Sequence, residues 1–350
     1  MLWVVEAWRG VASALVLWAH WAIPLALPTG FTAFAFTGVD LFFVLSGFVF
    51  APLLMKRPVT SLRAYVLRRV LRIYPAYLAA LALYVALTWM TGRPLAYLPE
   101  HLLMAHLQSR EMAFYYNPAF WSLPVEVGFY AILPFLGAWL AQGRRAEASV
   151  RWPLLCMLAM TVRIVLLVFA DGATQNRAYV LLNHIPGLLI EFLLGTWVWQ
   201  RAQQPMTCTA AWAWGLAGGV GWCVLAVIFV QLPEAVPPWV SGQLGLGAAA
   251  CFAALLLSSL HIPVPGRVTM AAAQWSGRLS YCVYLLHMAW LAPALAWSKQ
   301  WGLPTGISVA LGGLLASSLA LHWLIEEPAR RQGRRSSMLM ELRDATKRMT

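Results

Sequence analysis

The chain has 350 residues, 61% of them hydrophobic and 11% charged, with a mean hydropathy of +0.68. Ordinary soluble domains carry about a quarter charged residues, so a soluble globular class is excluded. The formal net charge of +12 would suit nucleic acid, but the basic residues lie in short segments between apolar stretches. Membrane orientation explains that placement, and no nucleic-acid partner is expected.

The five cysteines have neither paired nor metal-type spacing, so no disulfide framework and no metal site are expected. The first apolar stretch follows Arg9 much as a secretory signal would. It contains His20 and runs on into further apolar segments, which marks it as a retained span.

A spanning helix needs about 20 mostly apolar residues, and the sequence offers about ten such windows. They cover residues 10–27, 35–54, 73–91, 121–141, 152–170, 179–199, 211–231, 242–261, 277–297 and 306–325. The expected fold is therefore all-α, a polytopic transmembrane helix bundle lying in the cell's inner (cytoplasmic) membrane. Residues 1–331 form its membrane domain and residues 332–350 a basic cytoplasmic tail.

Cytoplasmic loops retain Lys and Arg. One set of loops holds Arg9, then Lys56 to Arg72, then Arg144, Arg145 and Arg151, then Arg201, Arg267, Arg278 and the tail from Arg330 to Arg348. The other set holds only Arg93, Arg110, Arg177 and Lys299, and Arg163 falls within a span. Both termini are thus assigned to the cytoplasm. The longest outer loop, residues 92–120, carries Tyr97, His101, His106, Tyr115 and Tyr116. Either an acceptor-facing lid or an interfacial aromatic belt accounts for them.

Ionisable groups inside apolar spans are costly and mark functional candidates by default. In the first span, Arg9 and His20 are eleven residues apart, close to three whole turns, so they share a face roughly 16 Å apart along the axis. An interfacial anchor plus an interhelical hydrogen bond would give the same pattern. The second span places Asp40 among Gly38, Ser46 and Gly47, small residues suited to close helix packing.

At the start of the third span, Arg68, Arg69 and Arg72 share one face, able to grip phosphates or to anchor to anionic lipid headgroups. In the fourth, Ser122 and Glu126 are one turn apart with Pro124 between them. A carboxylate there could orient an imidazole, or pair with a buried arginine such as Arg163. In the ninth, Ser280, Tyr284 and His287 fall on adjacent turns, a polar packing seam or a second-tier site. His184, Glu191 and His322 have no spacing argument beyond burial.

In order and wording these pieces resemble the acyltransferase 3 family of integral-membrane O-acyltransferases. Glu6 to Gly10 through His20 resembles its opening arginine–histidine signature, and Gly38 to Phe48 its SGF block. Arg68 to Pro75 is similar to its arginine pair ahead of tyrosine-proline, and Trp121 to Tyr130 to its WSL, glutamate and FY block. Leu279 to His287 resembles its LSYxxYLLH block, and Glu326 to Arg330 its closing acidic-proline-basic block. The likeness runs from about residue 5 to about residue 331.

There are departures. Glu6 stands where aspartate is usual, and Pro124 and Gly128 replace a small polar residue and a glutamine, leaving the hydrogen-bond partner of Glu126 unassigned. Nothing after the tenth window resembles the extracytoplasmic hydrolase-like domain of some members. The module is then expected to work alone or with a separate extracytoplasmic partner.

The resemblance implies a cytoplasmic acyl-CoA donor, commonly acetyl-CoA, and a hydroxyl acceptor on a carbohydrate or related small molecule at the outer side of the bilayer. It implies Arg9, His20 and Glu126 as the catalytic set, with Arg69 and Arg72 on the CoA phosphates. Arg68 extends their face, and Asp40, Ser122 and His287 are second-tier candidates. The competing class is a transporter or flippase, against which the absence of any repeat between the two halves of the sequence counts.

Overall fold

The structure is a computed structural model describing residues 2–56, 58–142, 145–170, 173–232, 238–263 and 265–349. Arg57 and Arg144, and the side chains of Arg145, Arg343, Lys347 and Arg348, all used in the orientation argument, lie outside the described residues. The described residues form helices and connecting turns, with no strand among them. In chain order the helices are α1 (Leu2–Trp21), α2 (Gly38–Met55), α3 (Leu62–Met90), α4 (Leu98–Leu102), α5 (Arg110–Phe114), α6 (Ser122–Ala141), α7 (Arg145–Ala170) and α8 (Gln175–Leu182). They continue with α9 (Ile185–Arg201), α10 (Cys208–Gln231), α11 (Pro238–Ser259), α12 (Arg267–Leu286), α13 (Leu291–Trp301), α14 (Leu303–Leu321) and α15 (Glu327–Met349).

Among the described residues, 9 helical segments are long and apolar enough to cross a bilayer. The protein is therefore a multi-pass membrane helix bundle, as its composition requires. The first expected window is the difference. Its helix, α1, starts and stops earlier than residues 10–27 and is not among the nine; it carries Glu6, Arg9 and His20 within 20 residues.

Three expected spans are also interrupted. The sixth divides between α8 and α9, where Pro186 opens the second helix. The ninth divides at a 3-10 turn, His287–Trp290, and the tenth passes through a π-turn, His322–Glu326, into α15. Such breaks survive in a membrane only where the freed backbone groups find other partners.

The chain folds as two compact units. The first comprises Met1–Ala51, Leu107–Arg110 and Ser149–Tyr284. Its core gathers Phe34, Leu41, Val44, Phe48, Val198, Phe252 and Leu256. In a bilayer, where lipid is as apolar as leucine, close backbone approach must supply much of the packing energy. The SGF block does this, since Gly47 lies against the backbone of Phe192 and Gly195 against that of Val44. Thr196 then donates to the Gly47 carbonyl at 3.2 Å.

The second unit comprises Pro52–His106, Glu111–Ala148 and Leu285–Thr350. Here the segment after α3 folds back along that helix. The Tyr77 hydroxyl donates to the His101 carbonyl at 2.8 Å, although Tyr77 lies between three and four turns, roughly 20 Å, before the helix end at Met90. Near the break at His287, the Leu285 carbonyl accepts from Tyr84 at 2.9 Å and from Asn117 at 3.1 Å, and the Ala289 amide donates to the Tyr84 hydroxyl. Those contacts satisfy backbone groups that the interrupted helix leaves open.

Candidate active site

In the first unit, Arg9 and His20 lie on the single helix α1, as their spacing requires. Arg9 forms a loose ion pair with Glu6 at 3.9 Å. Gly277 leaves room for Glu6, Gly10 sits against Ser276, and Trp8 donates to Ser259 at 2.8 Å. Tight packing against α11 and α12 thus fixes the helix that carries both candidates.

His20 is half-buried in the last turn of α1, with Nδ1 2.9 Å from the Val16 carbonyl. A carbonyl can only accept, so the ring proton sits on Nδ1 and Nε2 carries the basic lone pair. That is the tautomer a general base needs.

Asp40, in the first turn of α2, lies close enough to Glu191 of α9 for the two carboxyl groups to interact electrostatically. Glu191 is fully buried and faces Arg163 at 3.2 Å. Arg163 also donates to the Gly187 carbonyl at 2.7 Å and to that of Gly242. The arginine considered as a partner for Glu126 is therefore engaged by Glu191, a residue singled out from sequence by its burial alone. Buried Arg163 and Glu191 thus neutralise one another, as burial of charge demands, with half-buried Asp40 beside them.

In the second unit, Glu126 on α6 accepts a hydrogen bond from Tyr130, one turn later on the same helix. Tyr130 also ties this site to α3, because its carbonyl accepts from Tyr65 at 2.9 Å and its ring lies 5.7 Å from the Arg69 guanidinium. Glu126 and Arg69, read from sequence as separate features of opposite membrane sides, thus share a tyrosine. Tyr130 belongs to the FY block, and its i+4 spacing from Glu126 is the signal that could have identified it.

The two flanking arginines are bound elsewhere. Arg72 pairs with fully buried Glu326, and Arg68 with Glu341 at 2.6 Å. Glu326 in turn accepts from His322 Nδ1 at 2.7 Å, a buried pair spanning the π-turn. Of the second-tier residues, Ser122 begins α6 and donates to the Ala119 carbonyl at 3.4 Å. His287 is buried at the start of the 3-10 turn after α12. Ser280 donates to the Gly277 carbonyl at 2.7 Å, a helix-backbone bond consistent with the packing reading.

Of the residues expected in the longest outer loop, His101, His106 and Tyr116 are buried together in the second unit. The imidazoles of His101 and His106 stack 4.0 Å apart at 8°. Their Nε2 atoms face the carbonyls of Met112 at 3.0 Å and Phe120 at 3.1 Å. Burial and the adjacent His106 push the His101 imidazole down to about 3, and burial also lowers His106.

Residues 3–327 match the family profile described as "Acyltransferase domain". The chain is 29% identical over 300 residues to the "Putative membrane-bound transacylase BcsY" of Komagataeibacter xylinus, covering 81% of this chain and 71% of that protein. It is also 29% identical over 318 residues to the "Exopolysaccharide production protein ExoZ" of Rhizobium meliloti (strain 1021), covering 85% and 90% respectively. No solved structure matches it. A match that runs from the first turn of α1 to the first residue of α15 establishes that the chain belongs to the acyltransferase 3 family and is a membrane acyltransferase.

Proposed function

We propose that the protein moves an acyl group, acetyl first among the candidates, from cytoplasmic acyl-CoA to a hydroxyl of a polysaccharide or its precursor at the extracytoplasmic side of the inner membrane. The likeness to a protein named for exopolysaccharide production supports the acceptor class. The excess of Lys and Arg in one set of loops supports the sidedness, with both termini and the basic segment 332–350 cytoplasmic.

The observation that carries this reading is the His20 tautomer, held by the Val16 carbonyl with Nε2 basic. In the proposed step Nε2 accepts the proton of the acceptor hydroxyl while its oxygen attacks the thioester carbonyl. The carbon–sulfur bond then breaks, and the CoA thiolate leaves and takes up that proton. Glu126 is the carboxylate of the catalytic set, kept oriented by Tyr130, and Arg9 stands on the same helix as the base. The arginine face of α3, Arg68, Arg69 and Arg72, takes the CoA phosphates.

The test is CoA thiol release by the purified protein from acetyl-CoA in the presence of added polysaccharide. His20→Ala should lower that rate by about 10²–10⁴-fold, with expression and helix content unchanged. Turnover by the variant at the unmodified rate would reject His20 as the base.

A further inference from the structure

Two arginines on the face of α3 are paired with carboxylates far along the chain, Arg72 with Glu326 of the π-turn and Arg68 with Glu341 of α15. The π-turn and helix α15 after it run antiparallel along the beginning of α3, with contacts at Arg72–Glu326, Leu71–Gly333, Arg68–Glu341 and Ser61–Asp344. At Gly333 an added Cβ would stand 3.2 Å from the Cβ of Leu71, so the helices approach closely. The segment of α15 after residue 328 is strongly basic, carrying Arg330, Arg331, Arg334, Arg335, Arg343, Lys347 and Arg348. Its only side-chain carboxylates there are Glu341 and Asp344, three residues apart; Glu341 reaches Arg68 of α3, and Asp344 accepts from Ser61, the residue just before that helix.

The contacts differ in depth. Glu326 is fully buried beneath Arg72, whereas the side chains of Arg68 and Glu341 are 29% and 41% exposed. The first is a fixed part of the fold, and the second can exchange with a dissolved anion at little cost. A carboxylate on an arginine occupies the donors that a phosphate would use, since each presents anionic oxygens to the same guanidinium N–H groups.

We propose that the outer half of α15 is a built-in competitor for the donor, whose Glu341 and Asp344 cover an anion site for the CoA phosphates on α3 and give way when the nucleotide binds. This rests on the reading of Arg68, Arg69 and Arg72 as the donor site. It makes the effective donor affinity a property of the last two dozen residues as well as of α3.

The experiment uses the purified full-length chain, with the KM for acetyl-CoA and the direct binding of adenosine 3′,5′-bisphosphate as readouts. In Glu341→Gln/Asp344→Asn, KM should fall and bisphosphate affinity rise by about two- to five-fold, the range of an exposed ion pair, with kcat unchanged. Ser61→Ala, which loosens the same contact without altering charge, should act in the same direction if the double variant folds poorly. A KM that stays put or rises in these variants, while Arg69→Ala/Arg72→Ala raises it, overturns the competitor and leaves the donor site standing. A KM indifferent to both sets of changes overturns both.

Discussion

Tyr130 donates its hydroxyl to the carboxylate of Glu126, one turn earlier on α6. The same ring lies 5.7 Å from the Arg69 guanidinium, so the tyrosine holds the carboxylate from one side and meets the cation on the other. Pro124 and Gly128 cannot offer side-chain hydrogen bonds, and Tyr130 supplies one to Glu126 from the same helix.

Hydrogen bonds to charged groups are worth about 1.5–3 kcal/mol. Tyr130→Phe should therefore lower kcat about ten- to hundredfold, with a small change in KM, if Glu126 acts in the transition state. Steady-state thiol release measures it. A variant with the parent kcat would remove Tyr130 from the machinery.

The buried pair of Arg163 and Glu191, with half-buried Asp40 beside it, predicts an asymmetry. Glu191→Ala leaves Arg163 buried without its carboxylate and should cost about 3–5 kcal/mol, seen as a large drop in Tm in detergent. Asp40→Asn should be mild, because it removes a neighbouring negative charge while leaving the Arg163–Glu191 pair intact. Equal losses from the two substitutions would contradict the assignment of Glu191 as the residue that holds Arg163.

Glycine positions separate close packing from open surface. Gly195→Ala would drive a methyl group into the Val44 backbone and should destabilise by about 1–3 kcal/mol. Gly219→Ala meets nothing within 4 Å and serves as the comparison, expected to leave Tm unchanged or slightly raised by better helix propensity. Matching Tm values for the two variants would show that the α2–α9 approach is looser than described.

Protonation is the lever on the stacked histidines. The folded protein holds His101 at about 3, below its ordinary value of 6.5, so the unfolded chain binds more protons between those values. The stability this confers is complete above about pH 6.5 and is lost as pH falls toward 3. Thermal melts from pH 7.5 to 4 should show a falling Tm, and His101→Gln should flatten that slope while retaining a donor for the Met112 carbonyl. An unchanged slope in the variant would assign the acid sensitivity to other groups.

Composition and window length were enough to determine the class of this protein. An apolar chain with so few charges must place its helices in lipid, and ordered motifs such as Trp121 to Tyr130 carry the family because their local spacing is written in the sequence. The shared face of Arg9 and His20 was equally legible, since helical periodicity fixes it without any tertiary contact. Which groups pair across helices was not legible. Arg163 chose Glu191, Arg68 and Arg72 chose carboxylates far along the chain on α15 and the π-turn before it, and His101 folded back beside Tyr77. Those choices depend on helix approach and register, which arise only when distant segments pack together and each buried polar group must find whatever partner that packing brings within reach.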